Sequence, residues 1–175
     1  AVAMNSATAG LHAALSALGI GPGDEVIVTP YTMSASASAI LMQGAVPVFA
    51  DIEEDTFCLD AKKIEEKITS RTRAILVVHL FGQPARMDEI LAIAKKYNLA
   101  IVEDCAQAPG ALYKKQFVGT LGDIGVFSLN QHKTITTGEG GFAITKDQKL
   151  AVRLQLVRNH GEVVVDHLKV DFDPG

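Results

Sequence analysis

The sequence contains only two cysteines, Cys58 and Cys105, among its 175 residues. Two cysteines so far apart provide neither a disulfide framework nor a Cys-x-x-Cys metal site, so we expect reduced thiols in a cytoplasmic protein without a metal. Long apolar runs are also missing, because the longest, such as residues 74–78, are only of strand length. A membrane span is therefore not expected.

Neither sign of charge dominates, since 16 basic and 20 acidic side chains give a net charge of −4. The basic residues are scattered and form no stripe, which argues against a nucleic-acid partner. Charged residues make up 21% of the chain, slightly below the usual quarter, and this indicates extra buried surface such as a subunit interface. The 48% of hydrophobic residues excludes a disordered chain, and the length suits one domain.

Helical and strand patterns alternate along almost the whole chain, and the apolar run at 74–79 is typical of a strand covered on both faces. This alternation predicts a three-layer α/β/α domain around a mostly parallel central sheet. In such a sheet, ligands bind at the carboxyl ends of strands and at helix N-termini. The predicted helices are 7–18, 34–42, 60–67, 88–97 and 147–158, and the predicted strands are 25–29, 46–50, 74–79, 100–103, 126–129 and 141–145.

The first candidate ligand site lies at the start of the first helix, where Ser6, Ala7 and Thr8 follow Asn5. Small side chains let an anion approach, backbone N–H and hydroxyl groups donate to it, and the helix dipole favours its charge. The same residues could serve only as helix caps, which is the more common role of such a segment on its own.

Two further candidates follow predicted strands. Glu103 and Asp104 end one strand, where acidic pairs are more often solvated or helix-capping, although a carboxylate there also suits a buried cation such as a protonated ring nitrogen. Lys133 lies between a buried strand and the glycine-rich turn 136–141. A lysine that loses its charge there is a nucleophile that forms Schiff bases.

Other motifs are interpreted as structural. The glycines of 19–23 follow a helix rather than a strand, so they predict a turn and not a dinucleotide site, and 138–141 lacks the Lys and Ser/Thr of a P-loop. His12, His79 and His132 lack the spacing of metal ligands.

In their order along the chain, these motifs resemble the DegT/DnrJ/EryC1/StrS family of pyridoxal-phosphate-dependent sugar aminotransferases. The resemblance covers about residues 5–161 and implies the large domain of the aspartate aminotransferase fold, known as fold type I. The resemblance rests on three motifs: the helix start at 5–8, Glu103-Asp104-x-x-Gln107, and Ser128-x-x-x-x-Lys133 before the glycine-rich turn.

The resemblance implies a role for each position. Lys133 would form a Schiff base with pyridoxal phosphate and then move the proton between Cα and C4′. Asp104 would pair with the pyridine nitrogen and keep it protonated, and Gln107 would contact the 3-oxygen of the cofactor. The phosphate would be held by Ser6, Ala7, Thr8 and Ser128, and Met33 would stand where the family commonly places an aromatic residue against the ring.

The implied reaction transfers an amino group, usually from glutamate, to a nucleotide-linked keto-deoxysugar or a cyclitol ketone. The resemblance also implies a homodimer with shared active sites. Since the chain starts without Met and ends in turn-like residues, we interpret 1–175 as one incomplete large domain that lacks N-terminal segments and a small C-terminal domain.

Two alternatives remain at this stage. One is a sugar dehydratase of the same fold, in which histidine replaces the lysine. His132 is adjacent, but the spacing from Ser128 places Lys133 in register. The other is a binding or regulatory protein without catalysis, which the retention of lysine, aspartate and glutamine argues against.

Overall fold

The computed structural model describes residues 1–161. Every predicted helix and strand is present, with ends that differ by at most two residues, and residues 162–175 of the predicted domain lie outside the described part. The strands are β1 (Val2–Met4), β2 (Glu25–Val28), β3 (Val46–Phe49), β4 (Thr72–Val78), β5 (Ala100–Asp104), β6 (Leu112–Tyr113), β7 (Gln116–Phe117), β8 (Ile124–Ser128) and β9 (Gly141–Ile144), and the helices are α1 (Ala7–Ala17), α2 (Ser34–Met42), α3 (Ala61–Glu65), α4 (Met87–Tyr97) and α5 (Gln148–Arg158).

Within the described residues, seven strands form one sheet in the order β1-β9-β8-β5-β4-β2-β3. The five strands from β8 to β3 are parallel. At the edge beside β8, β9 pairs antiparallel with β8 and β1 pairs antiparallel with β9, so only β9 runs against the other strands. This confirms the prediction of a mostly parallel sheet. Strand β1 and the separate β6-β7 hairpin were not predicted, because two or three residues are too short to show a period.

The chain reverses its direction across the sheet between β2 and β4. From β2 it moves outward to β3, and from β4 it moves the other way to β5. Since crossovers between parallel strands are right-handed, α2 covers one face while α3 and α4 cover the other. Helix α1 packs against both α2 and α5, and α3 packs against α4. The reversal leaves a crevice at the carboxyl ends of β2 and β4, where ligands of such sheets bind.

Side chains define where several helices begin. Ser6 Oγ accepts a hydrogen bond from the N–H of Ala9 at 3.1 Å, so the capping role considered for Ser6 is confirmed. Asp60 caps α3 as predicted, and Asp147 caps α5. Within residues 1–161, no helix is long and apolar enough to cross a membrane.

The buried carboxylate of Glu103 links β5 to the end of β4 and to the loop before β8. Glu103 Oε1 accepts from the N–H groups of Leu121 (2.8 Å) and Gly122 (2.7 Å), and Oε2 accepts from the N–H of Gly119 (2.7 Å) and from His79 Nε2 (3.0 Å). Burial by itself raises the pKa of Glu103, but these hydrogen bonds outweigh it and hold the pKa below its ordinary value. The expectation that this acid is solvated or caps a helix is wrong, because its side chain is fully buried.

His79 completes this arrangement as a donor. Its Nδ1 accepts from the N–H of Ala85 at 3.2 Å, so the ring proton is on Nε2 and is donated to Glu103. His79, Glu103 and Cys105 place potential ligand atoms within 4.8 Å of one another. The four N–H groups occupy the carboxylate oxygens that a cation would need, so we interpret the cluster as structural.

Glycine is required where the loop meets the sheet. A Cβ on Gly125 of β8 would lie 2.4 Å from the Cα of Gly119, which is too close for any side chain. The absence of a side chain at this position therefore lets the loop approach β8 closely enough for its N–H groups to reach Glu103.

We expect Glu103→Gln to lower the free energy of unfolding by about 3 kcal/mol, because an amide NH₂ would face N–H donors in a buried site. Since the pKa of Glu103 lies below its ordinary value, this stabilisation is present at neutral pH and is lost as the pH falls through the folded-state pKa. Urea denaturation measures both effects. Glu89→Gln on the exposed face of α4 is the control, and an equal loss in the two variants would contradict the expectation.

Candidate active site

A cavity of about 350 Å³ lies at the crevice between the strand ends. Its walls come from the N-terminus of α1, the segment before α2, the end of β5 and the loop between β8 and β9. All eight residues predicted to bind the cofactor line it, namely Ser6, Ala7, Thr8, Met33, Asp104, Gln107, Ser128 and Lys133.

One end of the cavity is suited to an anion. Ser6 is the N-cap of α1 and Ala7 and Thr8 form its first turn, where backbone N–H groups have no partner within the helix. Ser128 lies at the end of β8 and also lines the cavity. Gly141 on β9 permits this geometry, because a Cβ there would lie 2.7 Å from the backbone nitrogen of Ala7. Helix N–H groups and hydroxyls together provide the donors that a phosphate needs.

Asp104 places a carboxylate at the end of β5. Its Oδ2 accepts from Ser36 Oγ at 2.9 Å and its Oδ1 accepts from the N–H of Ala106 at 3.1 Å. The residue is only 6% exposed, and burial raises the pKa of its carboxyl although both hydrogen bonds and the charge of Lys133 oppose the rise. A cation bound beside Asp104 would lower the pKa again, so the site favours a positively charged ligand group.

Gln107 has a defined amide orientation. Its Oε1 accepts from the N–H of Phe81 at 2.7 Å, so its NH₂ group is left to donate into the cavity. Phe81 is in the left-handed region with φ 55°, which is rare for a bulky residue. This strained backbone presents the N–H that orients Gln107.

Lys133 lies on a loop held by short hydrogen bonds. Its N–H donates to the carbonyl of Asn130 at 2.9 Å, and Asn130 Nδ2 donates to Glu139 Oε1 at 2.7 Å across the loop. The side chain of Lys133 is half-buried, and the neighbouring His132 also lines the cavity.

Met33 lines the cavity as the N-cap residue of α2, with its side chain 64% exposed. Its contact with a cofactor ring remains a prediction.

Four polar residues of the site were not identified from the sequence: Thr32, Asn130 and Glu139 at the cavity wall, and Ser36 behind Asp104. Asn130 and Glu139 had a weak signal, since they flank Lys133 in the loop. Ser36 had none, because a serine inside a helix most often bonds its own backbone or faces solvent.

These groups define a class of site. Helix N–H groups for a phosphate, a buried carboxylate for a cationic ring nitrogen and a lysine in the same cavity suit one phosphorylated heterocyclic ligand. The sequence profile of the DegT/DnrJ/EryC1/StrS aminotransferase family matches residues 1–171, and the chain belongs to this family.

The chain is similar to named members of the family. It is 50% identical over 161 residues to the GDP-perosamine synthase of Caulobacter vibrioides, covering 92% of this chain and 43% of that protein. It is 47% identical over 161 residues to the L-glutamine:2-deoxy-scyllo-inosose aminotransferase of Streptomyces fradiae, covering 92% of this chain and 38% of that one.

A solved structure agrees with the fold. The crystal structure of NtdA from Bacillus subtilis with bound cofactor PMP superposes with a TM-score of 0.84 at 38% identity, covering 89% of this chain and 35% of that chain. The α/β fold of the family's aminotransferases is therefore confirmed, and the chain spans less than half the length of each of these three proteins.

We expect Asp104→Asn to stabilise the cofactor-free protein increasingly as the pH rises. A raised pKa means that folding favours the protonated carboxyl, so stability present at low pH is lost as the pH rises through the folded-state value. The amide keeps the shape of the side chain without the charge. Urea denaturation of both proteins from pH 4 to pH 8 measures the difference, and a difference independent of pH would contradict the expectation.

Proposed function

We propose that the whole protein is an aminotransferase that uses pyridoxal phosphate and transfers an amino group from glutamate to a nucleotide-linked keto-deoxysugar or a cyclitol ketone. The observation that carries the proposal is the convergence of Lys133, Asp104 and the N-terminus of α1 on one cavity. The family of the chain and the cofactor bound to the B. subtilis neighbour support it.

The residues at the cavity fit this cofactor. The first turn of α1 and Ser128 would hold the phosphate, Asp104 would accept a hydrogen bond from the protonated ring nitrogen, and the NH₂ group of Gln107 would donate to the 3-oxygen. Met33 would lie against the ring. When bound, pyridoxal phosphate supplies a ring that accepts electron density from the substrate carbon bearing the nitrogen.

The protein groups divide the remaining work. Lys133 Nζ would take the proton from Cα of the substrate and deliver it to C4′ of the cofactor. The loop would therefore have to place the amine within reach of both carbons. Asp104, held by two hydrogen bonds, would keep the ring nitrogen protonated throughout. The half-buried position of Lys133 would limit the access of competing water.

The amino donor and the acceptor are proposed from the family resemblance and from the relatives rather than from the cavity. The GDP-perosamine synthase is named for a nucleotide sugar, and the other relative is named for a cyclitol ketone with glutamine as the donor. We propose glutamate, and incubation of the cofactor-loaded protein with glutamate or glutamine separates the two by which one yields pyridoxamine phosphate.

We also propose a cytoplasmic homodimer whose subunits share the active sites. Tyr31, Phe57 and Phe81 form an exposed aromatic cluster beside the cavity. The centroid of the Tyr31 ring lies 6.2 Å from that of Phe57 and 6.3 Å from that of Phe81. Both phenylalanines are in the left-handed region, so their strained exposure favours a covered surface in the assembly. Both cysteines are buried thiols, which agrees with a reducing compartment.

We expect Lys133→Ala to abolish transamination and to remove the covalent attachment of pyridoxal phosphate. His132→Ala, at the next position on the same loop, should retain both, since the spacing from Ser128 puts the lysine in register. Borohydride reduction followed by peptide mass analysis locates the attachment. Cofactor that borohydride does not attach to the unmodified protein, together with turnover that is lost in His132→Ala and not in Lys133→Ala, would favour the dehydratase alternative, and a loaded protein without turnover would favour the non-catalytic one.

We expect Phe57→Asn to weaken the proposed dimer at least tenfold, because an aromatic side chain would be lost from the interface. The monomer should stay folded, since asparagine tolerates the left-handed backbone. Sedimentation equilibrium measures the dissociation constant. Phe117→Asn, an exposed phenylalanine outside the aromatic cluster, is the control, and an unchanged constant for Phe57→Asn would exclude this cluster from the interface.

A further inference from the structure

Ser36 has no access to solvent or to the cavity, yet it contacts the carboxylate at its wall. It lies in the first turn of α2, is 0% exposed, and donates from Oγ to Asp104 Oδ2 at 2.9 Å. The two residues are 68 positions apart in the chain. A buried hydroxyl directed at a second element, rather than at its own helix backbone, is an unusual use of a helical serine.

Thr32 extends this contact to the cavity wall. Its Oγ1 lies 3.0 Å from Ser36 Oγ, and Thr32 itself lines the cavity. A hydroxyl has one proton to donate, so when Ser36 donates to ionised Asp104, Thr32 must donate to Ser36. When the carboxylate is charged, hydrogen bonds are therefore donated from Thr32 to Ser36 and from Ser36 to Asp104.

A backbone N–H group likewise donates to Oδ1, the other carboxylate oxygen of Asp104. The N–H of Ala106 can only donate, and it donates to Oδ1 at 3.1 Å. Both oxygens of Asp104 thus have one donor each, which fixes the rotation of the carboxylate and leaves its other lone pairs toward the cavity. Donors to the charged form favour that form in a buried site.

We propose that Ser36 is a positioning residue that holds Asp104 in the orientation and charge state needed by a protonated ring nitrogen. The inference rests on the proposed function, because it concerns the ring of the cofactor proposed there. Ser36 acts only through Asp104, since it does not line the cavity. A purely structural serine would instead affect every ligand of the cavity alike.

The experiment compares two ligands that differ only at the ring nitrogen. Pyridoxamine phosphate binds without a covalent bond to the protein, and its analogue with C–H in place of the ring nitrogen keeps the phosphate and the 3-oxygen. Their dissociation constants are measured by calorimetry on the whole protein and on Ser36→Ala, Thr32→Val and Ser38→Ala. Ser38 is the matched control, because it lies on α2 but takes no part in the contact to Asp104.

Ser36→Ala should weaken the binding of pyridoxamine phosphate about tenfold, as expected for the loss of a hydrogen bond to a charged group, and should leave the affinity for the analogue within about twofold. Thr32→Val should give a smaller loss of the same kind, and Ser38→Ala should change neither constant.

An equal loss for both ligands, or no loss for either, overturns the positioning role. If Ser36→Ala binds neither ligand, Thr32→Val decides by the same comparison. If the wild-type protein binds neither, the proposed function fails together with this inference. If it binds pyridoxamine phosphate selectively and Ser36→Ala keeps that selectivity, only the positioning role fails.

Discussion

The site depends on how β5 ends. Successive strand residues point to opposite faces, so Glu103 and Asp104 leave the same strand in opposite directions. Glu103 is held by His79 and by three N–H groups of the loop before β8, which fixes β4, β5 and that loop together. Asp104 is thereby presented to the cavity from a rigid strand rather than from a mobile loop. The contact proposed for Asp104 with a ring nitrogen needs this, because a small displacement would break it.

Stability and function make different demands on these two neighbouring acids. Glu103 is buried with all of its acceptor capacity used, so it stabilises the fold and has no group left for a ligand. Asp104 is nearly as buried but has only two donors, and its raised pKa shows that the fold alone does not fully compensate its charge. The positively charged ring nitrogen of the proposed cofactor would complete that compensation. The contrast separates a structural carboxylate from one prepared for a ligand.

Much of the fold could be predicted from local pattern. The alternation of apolar runs and helical periods identified the main elements within two residues, and Asp60 was identified as a cap, because both signals are local in the sequence. The β6-β7 hairpin and β1 were missed, since such short strands exist only through their pairing partners. The burial of Glu103 was missed because its donors are residues distant in sequence, whose approach depends on Gly125 and the close packing of the loop.

The sequence by itself determined the class of fold and the residues of the family motifs, including Lys133, Asp104, Gln107 and the start of α1. These motifs are defined by residue type and by spacing along the chain, so they can be recognised without coordinates. Only the tertiary structure decided that all eight line one cavity, that the amide of Gln107 is oriented by Phe81, and that Ser36 donates a hydrogen bond to Asp104. The physical reason is that hydrogen bonds are short and directional, so contacts between distant segments are set by packing rather than by local pattern.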